Sequence, residues 1–474
     1  MKCDVVVVGS GAAGTAAALS AAETARASGG PIDVVIVDKA PEEAWGGNSR
    51  WTEANMRLQD EDSLAPGFEA DLFEFSRGKS DPHIRTFVDH IGETIRWVRA
   101  RGVEFERRPL GFGMAHALPR IGPNGGGLAL IMALRSRAET LGAKILFGTG
   151  AWKLALDGEG NLDGIWVRES GGRSRKISAR AVILCCGGFE GNYEMLGHYV
   201  GGEAVSLRWD VPATPWNTGD GIVMALEVRA KTAGQFDGYH GSIADARPEA
   251  RRRRARPIVN CWPYGILVNQ SGRRFVDEGM AVVTDAFEAV SWAIRRQPYN
   301  SAFAILDQKF FAIPNHPRTL LTPLPPIRAG TIEELAGRIE VPGDALRATL
   351  DDYNRAVQPG AFDPEREDGK RTVGLEPPKS NWALSLDTPP FVCYPVEGTV
   401  QFTWGGLATD TRARVLATGD VPIPGLYAAG EIVGFYYYKY VGGTSVLRAL
   451  TFGKIAGQDA ARYVREQGPD VRPS

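Results

Sequence analysis

The chain has 474 residues, 43% of them hydrophobic and 23% charged, with a formal net charge of −2. Such a length exceeds one small core and points to two domains, or to one large domain carrying an insertion, in a chain of ordinary globular composition. The near-neutral balance excludes a general electrostatic pull toward nucleic acid or an anionic membrane, and no run of about 18 uncharged apolar residues is present to span a bilayer. The five cysteines are scattered apart from Cys185-Cys186, in neither a disulfide framework nor a zinc spacing. The chain opens directly into the buried-strand pattern Val5-Val6-Val7-Val8, so no signal peptide is expected. A cytoplasmic protein with reduced thiols and no structural metal is the expectation.

Residues 4–14 read DVVVVGSGAAG, and an alanine-rich, helix-favouring stretch follows to about Ala27. Strand, glycine turn and helix make a dinucleotide fingerprint. Gly9 permits the tight turn, Gly11 lets a pyrophosphate approach the backbone, and Gly14 allows close helix–strand packing. The phosphates would lie at the helix N-terminus. A second strand, Ile32 to Val37, ends in Asp38, an acid placed to bond ribose hydroxyls. Trp45-Gly46-Gly47-Asn48-Ser49 follows, and Ile423–Glu431 (IPGLYAAGE) repeats a turn–strand–glycine–acid pattern near the other end. Dinucleotide-contacting segments at both ends suit a large flavin domain, because NAD domains are usually complete within ~150 contiguous residues.

Amphipathic helices are expected over 85–101 and 128–142. A small antiparallel meander is expected from Ala143 to about Ile177, and Val182 to Leu184 reads as a returning core strand. From about Gln235 to Thr388 the texture changes, with the basic run Arg251–Arg254, a proline-rich stretch at 313–326 and a helical run from Thr331 to Ala356. The basic run reads as a solvated loop or as an electrostatic guide for an anionic substrate. Cys185-Cys186 reads as a pair of small buried hydrophobes, because adjacent cysteines rarely reach disulfide geometry without strain. The stretch Tyr436–Val446, YYYKYVGGTSV, is either an aromatic loop packed on the core or a catalytic loop whose phenol faces a substrate.

GSGAAG (Gly9–Gly14), GGNS (Gly46–Ser49), NGGG (Asn124–Gly127), VILCCGGFEGN (Val182–Asn192), NTGDGI (Asn217–Ile222), GRRFVDE (Gly272–Glu278), GLYAAGE (Gly425–Glu431) and VGGTSV (Val441–Val446) occur in that order along nearly the whole chain. Together they resemble the flavoprotein family of fumarate reductases, succinate dehydrogenase flavoprotein subunits and 3-ketosteroid dehydrogenases. The length and the YxGG loop are most similar to tricarballylate dehydrogenases. The resemblance implies an α/β protein: a Rossmann-like FAD-binding domain over 1–234 and 389–474, with an inserted α+β capping domain over 235–388. It implies FAD held by Gly9, Gly11, Ala12, Ala13, Gly14, Asp38, Lys39, Gly46, Gly47, Asn48, Ser49, Gly126, Gly127, Trp152, Cys186, Gly187, Gly188, Asn192, Asp220, Gly430, Glu431, Ser445 and Val446. The FAD is expected to be non-covalent, since Asn48 stands where the succinate dehydrogenase branch carries a flavin-bearing histidine.

The implied chemistry moves a hydride between the flavin and a carbon next to a carbonyl or carboxylate, with one proton-transfer group and several oxyanion donors from the protein. Fumarate reductases place their proton-donating arginine a few residues after GRRFxxE, but residues 279–285 contain none. A second family arginine is Tyr440 here, and a family histidine is replaced by Gln401 or Phe402, so fumarate reduction is not expected. Tyr440 and His240 remain as catalytic candidates, with Arg120, Thr403, Tyr438, Gly442 and Gly443 as substrate-binding candidates. Arg274 is expected to be structural, paired with Asp277 or Glu278. The expected function is dehydrogenation or reduction of a C–C bond beside a carboxylate or carbonyl, as in tricarballylate dehydrogenases. A ketosteroid-like desaturase of a cyclic ketone and a flavin electron-transfer subunit without its own substrate are the alternatives. The expected partners are a small carboxylate or ketone and a membrane-bound iron–sulfur protein as electron acceptor, with no nucleic acid.

Overall fold

The opening valines form strand β1 (Lys2–Val8), buried along most of its length near the middle of a largely parallel sheet. On one side β1 pairs in parallel with β2 (Val34–Val37), in the register Val5 with Val34 and Val8 with Val37. On the other side it pairs with the long strand Ser174–Leu184, Val8 lying beside Leu184. The strand Pro422–Ala428 continues the sheet in parallel, and Lys144–Leu146 extends it beyond β2. A strand covered on both faces reads as a continuous apolar run, which is why the β1 sequence does not alternate. The computed structural model describes residues 1–61, 63–108, 120–209, 211–253 and 256–468.

Gly9 turns the chain into α1 (Ala12–Ala27). Its alanines serve a packing purpose, because α1 lies against the C-terminal helix Ser445–Glu466 with little room between them. A Cβ on Gly457 of that helix would stand 2.2 Å from the Ala17 carbonyl oxygen. The two amphipathic segments form the helices Asp81–Arg99 and Gly126–Thr140. The first starts four residues earlier than expected, with Pro82 in its opening turn, where the missing N–H has no intrahelical partner to lose.

The region after Ala143 differs from the expected meander. Lys144–Leu146 belongs to the parallel sheet, and the antiparallel part is made by Thr149–Leu156, Leu162–Glu169 and the first residues of Ser174–Leu184. One strand therefore serves both sheets: Ser174–Ile177 closes the meander and Ser178–Leu184 runs beside β1. The expected helical run Thr331–Ala356 is two helices, Ile332–Ile339 and Gly343–Ala356. Glu340 in the left-handed region and Pro342 break it.

The cap is built on its own sheet, ordered Ile243–Asp245, Phe391–Val400, Ala302–Leu306 and Ile266–Val268. Phe391–Val400 is its central strand, flanked by Ala302–Leu306 on one edge and by Ile243–Asp245 and Ile327–Ala329 on the other. The strand that follows the expected return at residue 389 is therefore the centre of this sheet, and its last two residues also pair with Arg208–Trp209. The length and apolar character of 391–400 resemble those of a strand in the first sheet, and sequence alone does not say which sheet receives it. Two short antiparallel ladders tie the cap's entry to its exit, Thr232–Ala233 with Gly406–Leu407 and Tyr239–His240 with Phe402–Thr403. Among the described residues no helix is long and apolar enough to cross a membrane, and no His/Cys/Asp/Glu cluster is arranged to hold a metal ion.

Candidate active site

Two cavities meet at the C-terminal ends of the parallel strands, where ligands bind in open α/β sheets. The first, with about 830 Å³ of empty volume, is lined by Gly9, Gly11, Ala12 and Ala13 of the glycine turn, by Asp38 and Lys39, and by Gly47–Ser49, Cys186, Gly187, Asp220, Gly430 and Glu431. Its floor is backbone. A Cβ on Gly11 would meet only Ser49 Oγ at 3.3 Å and the Gly46 carbonyl oxygen at 3.5 Å, so the missing side chain keeps a ledge open over the helix N-terminus. No side chain caps α1 at Gly11, which leaves first-turn N–H groups for an anion, although Ala12 N–H already donates to Ser49 Oγ at 3.0 Å. Asp38 lies at the tip of β2, where it accepts the N–H of Ser10 at 3.1 Å and of Ala40 at 2.9 Å. Lys39 is paired with Asp220 at 2.7 Å across the mouth. A phosphate-sized ledge, an uncapped helix and an acid one strand away fit a dinucleotide of the FAD type.

The second cavity, with about 1470 Å³ of empty volume, lies under the cap and shares Asn48, Ser49, Glu431 and Ala449 with the first. His240, Tyr440, Arg120, Gly442, Gly443, Ser445 and Val446 all line it. His240 is held by the ladder that sets it opposite Phe402. Its Nδ1 is bonded to Glu288 Oε1, on the cap helix Val283–Arg295. The other Glu288 oxygen accepts the Tyr440 N–H at 3.4 Å, so one buried carboxylate locates both candidates. The His240 and Tyr440 rings are 4.5 Å apart between centroids, and Phe402 lies against both at 4.8 and 5.1 Å. The Tyr440 hydroxyl donates to Ser445 Oγ at 3.2 Å and accepts the N–H of Gly443 at 3.2 Å and of Ser445 at 3.4 Å. Tyr436 braces this loop through Thr444 Oγ1 at 2.8 Å.

Arg120 borders the Gly442 turn, and burial holds its guanidinium below the usual arginine pKa, the Tyr440 phenol acting in the opposite sense. Its Nε is buried without a hydrogen-bond partner among the described residues. Arg256, beyond the basic run, enters the same cavity from the cap with a buried Nε in the same state and an NH2 group 3.4 Å from Gln401 Oε1. Arg251 pairs with Glu397, and Arg252 with Glu249, while Arg254 lies outside the described residues. Arg274 makes a bidentate pair with Glu278 at 3.0 and 2.6 Å, deep in the cap and away from the cavity.

Several expected residues stand elsewhere. Tyr438 does not reach the cavity; it is 44% exposed, with Arg77 stacked 3.9 Å over its ring. Trp152 faces outward, 43% exposed under Arg168, because strand alternation gives its neighbour Ala151 to the cavity. Gly14, Gly46, Gly126, Gly127 and Gly188 sit behind the walls rather than on them, and at Gly14 a Cβ would stand 1.9 Å from the Gly9 carbonyl oxygen. Asn192 caps the helix Tyr193–Tyr199, and Thr403 is buried, donating its N–H to Glu431 at 3.0 Å. Burial pushes the Cys186 thiol up to about 12 and raises Cys185 as well, and both are free. Glu288, Arg256 and Arg448 are cavity or supporting residues absent from the sequence expectations. Only Arg448, a lone cation in the apolar run 446–452, carried a local signal of buried charge.

The family model described as "FAD binding domain" matches residues 4–446. The vinyl phenol reductase of Lactiplantibacillus plantarum is 28% identical over 98% of this chain and 97% of its own. The 3-oxosteroid 1-dehydrogenase of Mycolicibacterium smegmatis is 30% identical over 71% of this chain and 62% of its own. Among solved structures, the open conformation of a flavocytochrome c3 fumarate reductase aligns with a TM-score of 0.76 at 25% identity, over 98% of this chain and 79% of that one. With a family match that runs through both cavities, the chain belongs to the FAD-binding family, takes FAD as its cofactor and is an FAD-dependent reductase or dehydrogenase acting on a CH–CH group.

Proposed function

We propose that the protein reduces, or in the reverse direction desaturates, a C–C bond conjugated to a carboxylate, with FAD bound non-covalently. The observation that carries this reading is the pair Arg120 and Arg256, two guanidiniums whose buried Nε atoms, like that of Arg448, have no hydrogen-bond partner among the described residues, in the cavity that holds His240 and Tyr440. An arginine fork suits a carboxylate, and a buried guanidinium N–H left without an acceptor is costly unless a ligand supplies one. The missing family arginines count against fumarate; Arg256 supplies a second cation beside Arg120 from a segment outside the family motifs.

The turn Gly9–Gly14 would hold the FAD pyrophosphate and Asp38 the adenosine ribose. When bound, FAD supplies the hydride chemistry. Arg120 and Arg256 bind and orient the substrate carboxylate. Glu288 fixes His240 through Nδ1, which leaves Nε2 to meet the substrate. The Tyr440 hydroxyl, fed by two backbone N–H groups, holds or moves the proton at the carbon beside the carboxylate. Phe287, Phe402 and Ile258 exclude water from that point.

The same apolar walls, with Val211 and Trp51, favour a second reading in which a cyclic ketone replaces the carboxylate. The relation to a 3-oxosteroid 1-dehydrogenase supports it. Tricarballylate is the finer carboxylate reading, and a membrane-bound iron–sulfur protein the electron partner that goes with it. The test is anaerobic exchange of electrons between the flavin and a panel of saturated and unsaturated mono- and polycarboxylates, a vinyl phenol and cyclic ketones. Carboxylates are expected to react, with KM raised at least about tenfold in Arg256→Gln at little change in kcat. Reaction with cyclic ketones alone, unaffected by Arg256→Gln, overturns the first reading in favour of the second.

A further inference from the structure

A carboxyl pair stands where the two cavities meet, Glu431 in their common wall and Glu190 buried behind it. Glu190 follows the Gly187-Gly188 turn and is fully buried, and Glu431 lines both cavities. Glu190 Oε1 accepts the side-chain amides of Asn48 at 2.7 Å and Asn217 at 2.6 Å. Its Oε2 is buried and receives no hydrogen from any N–H or hydroxyl among the described residues. That oxygen lies toward Glu431. A Cβ on Gly188 would stand 2.9 Å from Glu190 Oε2 and 2.3 Å from Glu431 Oε1, so the two oxygens flank one point. Glu431 Oε1 also accepts the Thr403 N–H at 3.0 Å. The cation acting on Glu431 is Arg448, which donates to the Val433 carbonyl at 3.3 Å and stacks on Phe435 and Tyr436.

Two bare carboxylates whose oxygens flank one point in a buried wall repel each other strongly. A single proton between them gives the orphaned Oε2 its donor and removes one charge. We propose that Glu190 and Glu431 share one proton and act as a single group of charge −1, a positioning pair that sets the redox potential of FAD where the cradle meets the substrate cavity. Burial raises both carboxyls above the usual range, in the same direction as the geometry. The inference rests on FAD binding and not on the substrate proposed above, so its test needs no substrate.

The pair makes an unusual forecast for isosteric variants. In Glu190→Gln the new amide donates to Glu431, which then carries the charge; in Glu431→Gln the charge stays on Glu190. Each single variant keeps −1, and only the double variant loses it. The measurement is the flavin midpoint potential of the FAD-loaded protein, by equilibration with a reference dye. Each single variant is expected to change the oxidised-to-reduced equilibrium by less than about threefold. The double variant is expected to shift it at least about tenfold toward reduced flavin, ~30 mV upward for a two-electron couple. Two equal additive steps, or no shift in the double variant, overturn the proposal. Infrared difference spectra give a second readout that survives loss of flavin from a variant. Both single variants are expected to lose the same protonated-carboxyl band, and retention of that band in either one overturns the shared proton.

Discussion

The dinucleotide cradle and the substrate cavity share a wall but are made of different material. The cradle is mostly backbone, set by a glycine turn, an uncapped helix and the tips of neighbouring strands. The cavity is mostly side chain, with Arg120, His240, Arg256 and Tyr440 arriving from four separate segments and Glu288 bracing two of them from a fifth. Backbone binding tolerates sequence change everywhere except at positions where a Cβ collides. Side-chain binding can be rewritten by single substitutions, and a relative sharing the cradle carries little information about the substrate.

The largest expected effect separates two kinds of glycine inside the cradle itself. At Gly14 a Cβ would stand 1.9 Å from a backbone oxygen, so Gly14→Val should fail to give folded protein. At Gly11 the nearest atom would be a serine side-chain oxygen at 3.3 Å, so Gly11→Val should fold, with a circular dichroism spectrum near that of the parent. Its added side chain fills the pyrophosphate ledge, and flavin content on purification should fall at least about tenfold. A flavin-replete Gly11→Val protein would break the assignment of the ledge.

The next effect belongs to the cavity. Tyr440→Phe keeps the ring among Phe402, Tyr436 and His240 and removes one hydroxyl. The rate of anaerobic flavin reduction should fall roughly 10²–10³-fold, the cost of losing a group that stabilises charge in the transition state. Two backbone N–H groups lose their acceptor, at a cost of about 1–2 kcal/mol to stability. His240→Ala should show a comparable rate loss, and the double variant should fall short of additive because Glu288 locates both residues. A wild-type rate in Tyr440→Phe would leave the loop as wall only.

The same contrast explains what could be read in the sequence. The fingerprint Gly9–Gly14, the acid at Asp38 and the returning strand at Val182–Leu184 were legible because each is local: a turn demands glycine and a buried parallel strand demands an apolar run. His240 and Tyr440 were found through motif position, and their common partner Glu288 was not, because on an amphipathic helix it has the appearance of any surface glutamate until tertiary structure buries it. Arg256 was hidden in the same way, behind a charge run in which Arg251 and Arg252 pair with glutamates. Trp152 and Tyr438 were misplaced because aromatic identity says nothing about which side of a strand or loop a side chain takes. The sheet that receives Phe391–Val400 was not legible because an apolar strand does not announce its sheet.

The smallest expected effect tests the placement of aromatic side chains within four residues of Tyr440 itself. Tyr436, Tyr438 and Tyr440 sit two apart along one loop, yet the first and third are buried around the cavity and its bracing, while Tyr438 is turned out with φ at +57°. Its N–H donates to Gln235 at 2.7 Å, and its ring carries Arg77. Removing the ring in Tyr438→Ala loses a cation–π contact worth about 0.5–1 kcal/mol at an exposed site and leaves the left-handed backbone strained, because alanine dislikes that region as tyrosine does. Tyr438→Gly loses the same contact but relieves roughly 1 kcal/mol of strain, so it should melt at or above the alanine variant. Both should reduce flavin within about twofold of the wild-type rate, since neither side chain position borders His240, Arg120 or Arg256. A rate loss in Tyr438→Ala approaching that of Tyr440→Phe would mean that the loop acts as one unit, and the division between a catalytic phenol and an outward neighbour would have to be abandoned.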